Sequence, residues 1–587
     1  MSPYHAPLED MQLLVNQAIR KTGLDQCQAL EEFDEGLVGA VLEEAGKFAA
    51  GELAPLNPVG DTEGCHFDNG RVTTPAGWKE AYRQFCEAGW MGLALPVEYG
   101  GQGLPKFIAQ PVNEMWLSAN LAFVMFHALA QGGSEILLNF GTDAQKQRYL
   151  EPIITGRWTV AMALTEPGAG SDLGALTTRA VPQGDGYYRI RGQKIYITYG
   201  DHDMAENIVH LVLARTPDAP AGSRGISLFA VPKYRIQDDG SPGESNDVLC
   251  TGIEHKTGLH GSPTCSISYG EQGDCFGELI GQENRGLAAM FVLMNEARLS
   301  CGMQGVGLGE RGYQQALDYA RERIQGAGYD GGGRVAIVRH PDVARMLLSI
   351  RAEVMGQRAL GYLIAAQIDK AEHTSDDAER TRLEQRVALL TPVFKAFATE
   401  NANRMAGTTI QIFGGMGFVE ETGVAQFMRD ARITTIYEGT TGIQARDLVF
   451  RKIRGDGGQA LTALLDEIDG DTEQSFLQET GFGAALRQAT GQFRALIPVI
   501  CGDSGDSLSL NAGGVPLLEA LGTLCCAWQL CLIAVTAQSR KDQNPVYYGN
   551  LMALADYYFA YSVPRIDAGL STFQQAGRGV SAYQFDQ

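Results

Sequence analysis

Between residues 159 and 281 the chain changes its hydrophobic period, and that change limits the folds open to it. WTVAMAL, YYRIRGQKIYIT, NIVHLVLAR, GISLFAVP and CSISYGE are short β-rich runs separated by turn residues, with no helical pattern between them. Such a series predicts a compact β-barrel or sandwich. On both sides the spacing is helical. LVGAVLEEAGKFAAGEL (37–53), WKEAYRQFCEAGW (78–90) and the nearly apolar AFVMFHALAQGGSEILLNF (122–140) precede it. After it, Val343, Leu347, Ile350 and Val354 step four, three, four, the inward stripe of a bundle helix, and TPVFKAFATENANRMAGTTIQIFGG (391–415) reads as another helix ending in glycines. At 587 residues the chain exceeds what one core supports. The predicted class is α+β: a helical N-terminal domain (1–158), a β-domain (159–281), a helical bundle (282–455) and a helical C-terminal extension (456–587).

A net charge of −22 argues against a nucleic-acid or anionic-membrane surface over most of the molecule. Eleven cysteines, an odd number without CxxC spacing, suit reduced thiols in the cytoplasm. ALGTLCCAWQLCLIAVTA (520–537) reaches the length of a membrane span, but Gln529 is central and Gly522, Thr523 and Thr536 dilute it, so it is read as a buried bundle helix. The acidic N-terminus without a continuous apolar core is neither a secretory signal nor a transit sequence.

The nine histidines form no HExxH, so no catalytic metal is expected, and no GxSxG elbow is present. GVGLGE (305–310) lies in a helical region rather than after a strand, so its glycines are assigned to close helix packing. GAGYDGGGR (326–334) lacks the ending of a phosphate loop and is read as a flexible connection. Two stretches carry more information. In MALTEPGAGSDLGAL (162–176), the glycines permit close approach of a polar ligand to Thr165, Ser171 and the backbone. In RITTIYEGTTGIQARDL (432–448), Thr441 and Gln444 fit a capping box with the helix starting at Gly442, which leaves Glu438 in an approach loop.

MALTEPGAGSD, GYYRIRGQKIYIT, QIFGGMGF and MRDARITTIYEGTTGIQ, in this order over about residues 120–455, resemble the acyl-CoA dehydrogenase family. The order helices, β-domain, bundle is that family's fold. The N-terminal segment and the long C-terminal extension are similar to its larger bacterial members, the group that includes 3-methylmercaptopropionyl-CoA dehydrogenases.

The resemblance implies bound FAD and oxidation of a saturated acyl-CoA to the trans-2-enoyl-CoA, with Glu438 as the base that removes the α-proton. A carboxylate in a water-poor pocket has a raised pKa, which suits that task. It implies further that Met162, Leu164, Thr165, Ser171, Tyr196, Thr198, Arg323, Gln411, Gly414, Gly415 and Thr440 contact the cofactor. Ser171, Asn295, Arg298, Tyr437 and Gly439 are implied at the substrate. In some members the base stands just before the arginine after the β-domain; here that position is Ala297, and Glu296 points about 100° away. Tyr196 replaces a family tryptophan, IQG and a glycine-rich insertion replace RxTFG after Arg323, and Gly442 replaces a polar residue. The implied partners are electron-transfer flavoprotein and a second copy of the chain, a dimer being expected. Straight medium-to-long acyl chains in fatty-acid β-oxidation are the first expectation, with 3-methylmercaptopropionyl-CoA as the narrower one. A flavin monooxygenase, an acyl-CoA oxidase and a non-catalytic binding protein on the same fold are the competing readings.

Overall fold

Alternating stretches of chain build two units in the computed structural model, which describes residues 2–184, 186–329, 332–502, 507–580 and 582–583. One unit comprises Phe48–Pro105 and Ala119–Ala297; the other comprises Met1–Lys47, Lys106–Ser118 and Arg298–Gln587.

The first unit holds the β-rich region. Its strands are β1 (Trp158–Ala163), β2 (Arg179–Pro182), β3 (Tyr187–Thr198), β4 (Asn207–Ala214), β5 (Ser227–Pro232), β6 (Val248–Ile253), β7 (Thr264–Tyr269) and β8 (Phe276–Ile280). They form one sheet in the order β6-β7-β3-β8-β5-β4-β1, with β2 beside β3. β1 runs parallel to β4, with Trp158 opposite Asn207, whereas β4 and β5 are antiparallel. Every residue of β4 and β5 is buried, which explains why NIVHLVLA and SLFAVP read as continuous apolar runs rather than alternating ones. Where β3 meets β7 the register slips: Cys265 faces Ile197 and Ile267 faces Lys194, so Ile195 and Tyr196 share one partner position. This is a β-bulge.

The helix Trp78–Glu87 packs its aromatic face in the same unit. Trp78, Phe85, Phe123 and Phe126 meet edge to face, with centroids 5.3–6.4 Å apart. Tyr199, just beyond β3, is fully buried among them; its hydroxyl accepts from Trp78 Nε1 at 3.3 Å and lies 2.9 Å from the acceptor Ala122 O. The end of β3 is thereby anchored.

The second unit is a helical bundle. Its helices include α1 (Leu8–Thr22), the first part of α2 (Lys106–Phe140), most of α3 (Gly286–Glu322), α4 (Pro341–His373), α5 (Asp377–Phe413), α6 (Val424–Thr434), α7 (Thr441–Arg446) and α8 (Ser507–Arg540). The chain leaves this unit along α2 beside Asn120, whose φ of −158° interrupts the helix. The glycines of GVGLGE serve packing, as their helical context predicts: a Cβ on Gly305 would stand 2.5 Å from Ala398 O, and one on Gly309 would stand 2.4 Å from Met405 Cε.

At the bundle centre Arg358 is fully buried between Glu114 and Glu310, at 2.6 and 2.7 Å. Tyr362 donates to Glu114 at 2.7 Å, and Arg351 pairs with Asp10 of α1 and with Glu310. The region after residue 455 belongs to the same unit. Asp471 accepts from Trp528 Nε1 at 2.8 Å and pairs with Lys21 of α1 at 2.7 Å, and Glu467 pairs with Arg386 of α5 at 2.7 Å. α2 and α8 are long and apolar enough to cross a membrane, but each buries most of its apolar window within the protein. The 520–537 run is thus a core helix, as read from its polar interruptions.

The glycine-rich 326–334 run connects α3 to α4, as expected, and includes parts of the paired strands Ile324–Ala327 and Arg334–Ala336; Asp330 and Gly331 lie outside the described residues. One local expectation needs correction. The cap before α7 is Thr440, not Thr441: its hydroxyl accepts from Ile443 N at 3.3 Å, and the helix starts at Thr441. Thr441 instead donates to Glu400 at 2.6 Å, which removes it from the capping role.

Candidate active site

The residues implied at the cofactor and substrate fall into both units, and each unit builds its own group. In the β unit, Met162 is the penultimate residue of β1, and Leu164 and Thr165 follow that strand. Lys194, buried on β3, donates to Leu164 O at 2.8 Å and to Glu166 Oε1 at 2.9 Å, while Ile195 N donates to Thr165 O at 2.9 Å. Glu166 in turn accepts from the amides and hydroxyls of Thr177 and Thr178 at 2.6–3.0 Å. Burial works against its charge, but Lys194 and these donors hold the carboxyl down at about 2; burial lowers Lys194 to about 8 despite Glu166. This buried pair holds the start of the TEPGAG turn and ties it to Thr177 and Thr178, while Glu166 and Ala169 exchange backbone hydrogen bonds at 3.0 Å. A lysine in QKIYI reads as solvated; its four-residue spacing from Ile190 on an alternating strand is the local sign that it points inward, and the bulge brings Ile197 to the same face.

Within the turn, Gly168 and Gly170 have no atom within 4 Å of where a Cβ would stand, so one side of the backbone is open. Ser171 is exposed. Tyr196 sits on the bulge with φ 59°, a left-handed conformation costly for a bulky side chain, and presents its ring at 61% exposure. Thr198 follows, half-buried. An exposed aromatic held in a strained turn beside an open glycine loop suits a planar ring system with a phosphate-bearing tail. The residues present therefore fit FAD. Replacing Tyr196 by Ala is expected to weaken FAD retention about fivefold, from about 1 kcal/mol of lost ring contact, while Tyr196→Trp retains it; FAD fluorescence released on dilution measures both.

In the bundle unit, Tyr437, Glu438, Gly439 and Thr440 connect α6 to α7. Glu438 is left-handed at φ 54°, followed by Gly439 at φ 91°. The turn is braced from behind: Lys395 of α5 donates to Thr434 O at 2.8 Å and Gly439 O at 2.9 Å, and Gln444 donates to Glu438 O at 2.9 Å and Gly439 O at 3.1 Å. The amide N–H of Glu438 has no acceptor among the described residues. Burial raises the Glu438 carboxyl above its ordinary pKa, with Lys395 and Arg298 pulling the other way. Tyr437 hydrogen-bonds Gln304, and burial lifts the Cys301 thiol to about 12, so it is inert.

Arg298 is brought to this group but is not free: it pairs with Asp447 at 3.2 Å, leaving its buried Nε without an acceptor. Asn295 and Arg323 are exposed on and just after α3, and Gln411, Gly414 and Gly415 are exposed at the end of α5. Tyr319 of α3 stacks on Phe413 of α5 with centroids 4.2 Å apart, which ties these two helix ends together. No group of three or more His, Cys, Asp or Glu able to hold a metal occurs among the described residues.

Known proteins match most of the chain. Profiles of the acyl-CoA dehydrogenase N-terminal domain, middle domain and C-terminal domain match residues 39–157, 161–271 and 284–453, and an acetyl-CoA dehydrogenase C-terminal-like domain matches 464–584. The chain is 44% identical to a 3-methylmercaptopropionyl-CoA dehydrogenase of Ruegeria pomeroyi, covering 94% of this chain and 95% of that one. It is 34% identical to the broad-specificity linear acyl-CoA dehydrogenase FadE5 of Mycobacterium tuberculosis, covering 96% of each. The crystal structure of an acyl-CoA dehydrogenase complexed with FAD from Bacillus anthracis superposes with a TM-score of 0.74 at 21% identity, over 95% of this chain and 91% of that one. The chain thus belongs to the acyl-CoA dehydrogenase family and is an FAD-dependent acyl-CoA dehydrogenase.

Proposed function

We propose that Glu438 removes the α-proton of a short saturated acyl-CoA, with 3-methylmercaptopropionyl-CoA as the favoured substrate, giving the 2,3-unsaturated thioester. The observation that carries the base assignment is the turn itself: a carboxyl with raised pKa, in a left-handed conformation held by Lys395 and Gln444. The unspent Glu438 N–H is a donor suited to the thioester oxygen as negative charge develops there. FAD, when bound, supplies the acceptor for the β-hydrogen as hydride. Met162, Leu164, Thr165, Ser171, Tyr196, Thr198 and Thr440 are its proposed contacts, with Arg323, Gln411, Gly414 and Gly415 toward the nucleotide end. Tyr437, Gly439, Asn295 and Arg298 are assigned to the thioester and its CoA tail, the orphaned Nε of Arg298 being the donor still to be satisfied. Electron-transfer flavoprotein as acceptor, a homodimer and a cytoplasmic location complete the proposal; free cysteines throughout the described chain support the last.

The methylthio substrate is supported by the 44% identity over nearly the full length. Straight-chain acyl-CoA in β-oxidation is the second reading, supported by the full-length likeness to FadE5. Anaerobic titration with 3-methylmercaptopropionyl-, butyryl-, octanoyl- and palmitoyl-CoA decides between them. Flavin bleaching is expected to be fastest with the first, since each misfitted methylene costs about 1–3 kcal/mol. Preference for octanoyl- or palmitoyl-CoA by more than about tenfold replaces the first reading by the second, and bleaching by none of the four overturns both.

A further inference from the structure

Resting on the reading of Glu438 as base, we infer that Lys395 is its positioning residue, a buried ammonium that both clips the base-bearing turn in its left-handed form and supplies the positive charge facing the carboxyl. Two observations carry this. The first is geometric. Lys395 lies in the middle of α5 with no exposed surface, and both its hydrogen bonds go to carbonyls of one short segment: Thr434 at the end of α6 and Gly439 just after the base. A lysine is an expensive way to satisfy two carbonyls in a core, because its charge must be desolvated. A neutral side chain could meet them at lower cost.

The second is the company it keeps. The ionisable groups around Glu438 are Lys395 and Glu400 from α5, Arg298 and Cys301 from α3, Tyr437 beside it, Asp430 from α6, and Asp447 just after α7. Cys301 and Tyr437 are held neutral by burial. Arg298 is already paired with Asp447, and Glu400 accepts from Thr441 at 2.6 Å. Among the described residues Lys395 hydrogen-bonds no carboxylate; its hydrogen bonds go to backbone carbonyls, so its charge is compensated chiefly through space. Burial lowers the lysine, and Cys301 and Glu438 act to raise it.

The hydrogen bonds also orient the turn. Gly439 O receives from both Lys395 and Gln444, and Glu438 O receives from Gln444. With those carbonyls held on the bundle side, the Glu438 N–H is left unspent. A Cβ on Gly439 would stand 2.7 Å from Gln444 Nε2, so the clip also requires glycine there.

The test uses the full-length holoenzyme with Lys395→Met and Lys395→Gln, FAD content being measured first. Flavin reduction is followed anaerobically across pH, with the acyl-CoA that reduces wild type best. Lys395→Met is expected to lower the plateau rate at least about tenfold, as loss of a few tenths of an ångström in positioning does, with thioester affinity within about threefold. It is also expected to move the acidic limb to higher pH, because removing a cation makes Glu438 harder to deprotonate. Lys395→Gln keeps amide donors without the charge, so it recovers part of the plateau while the limb stays displaced. An unmoved limb and plateau in Lys395→Met overturn the inference. If that variant does not retain FAD, an unmoved limb in Lys395→Gln overturns it alone. Glu438→Gln is the control: if it is reduced like wild type, the base reading fails, whereas a silent Glu438→Gln beside unchanged Lys395 variants removes only the role of Lys395.

Discussion

A Glu438→Gln enzyme is expected to hold FAD and bind acyl-CoA while its flavin bleaches about 10²–10⁴ times more slowly than wild type. Glutamine preserves the shape of the side chain and leaves the backbone braces of the turn in place, since Lys395 and Gln444 bond the main chain rather than the carboxyl. It cannot accept a proton. The loss should therefore appear in the rate at saturating thioester and not in affinity. Wash-out of deuterium from the α-carbon into water should cease in parallel. Stability should not fall, because burial already penalises the charged form of Glu438. Bleaching within tenfold of wild type would place the base elsewhere. Glu296 on α3 is then the carboxylate to remove next, although Ala297 occupies the position a base on that helix requires.

The largest stability effect is expected at Arg358. Replacing it by Met removes one cation but strands two buried carboxylates, Glu114 and Glu310, and breaking a buried pair in this way costs about 3–5 kcal/mol. Arg351 is a partial substitute, since it already reaches Glu310 at 3.3 Å, but among the described residues Glu114 pairs with no cation other than Arg358 and would keep Tyr362 as donor. Burial raises Glu114 above the ordinary carboxylate range even with Arg358 present. Adding Glu114→Gln to Arg358→Met should accordingly recover part of the loss, because the uncompensated charge is its source. Exposed pairs give the contrast: Arg83→Met, which loses contacts to Glu80 and Glu87 at the surface, should leave stability almost unchanged. Urea midpoints with FAD bound measure all three. A loss at Arg358 no larger than that at Arg83 would show that the network carries no net stabilisation.

The order of helices, β-rich region and bundle was legible because periodicity reports which face of an element is buried, and β3, α4 and α5 keep that rhythm over many residues. The glycines at 305–309 were legible for the same reason. Other features depend on contacts distant in sequence. Lys194 and Lys395 look like surface lysines until Glu166 and the Thr434 and Gly439 carbonyls are brought to them. Thr440 and Thr441 are adjacent threonines, and which of them caps α7 is settled by Glu400, some 41 positions earlier, taking the second hydroxyl. The hairpin around residues 324–336 was masked by its glycines, which suit a tight turn as well as a flexible one. The resemblance implies Arg298 at the substrate, but its pairing with Asp447, 149 residues away, has no local trace in the sequence.

The joining of the two chain ends has a consequence for how the protein is made. Asp10 accepts from Tyr547, Gln17 donates to Gln529 and Lys21 pairs with Asp471, contacts spanning 537, 512 and 450 residues. A ribosome adding about 5–20 residues per second needs roughly half a minute to two minutes to cross such a gap. Over that interval α1 lacks these late partners, although Arg351 reaches Asp10 earlier, and the chain of the β unit, which ends at Ala297, is finished about midway through it. The bundle must therefore close last, and the nascent apolar face of α1 is where a chaperone would be needed most.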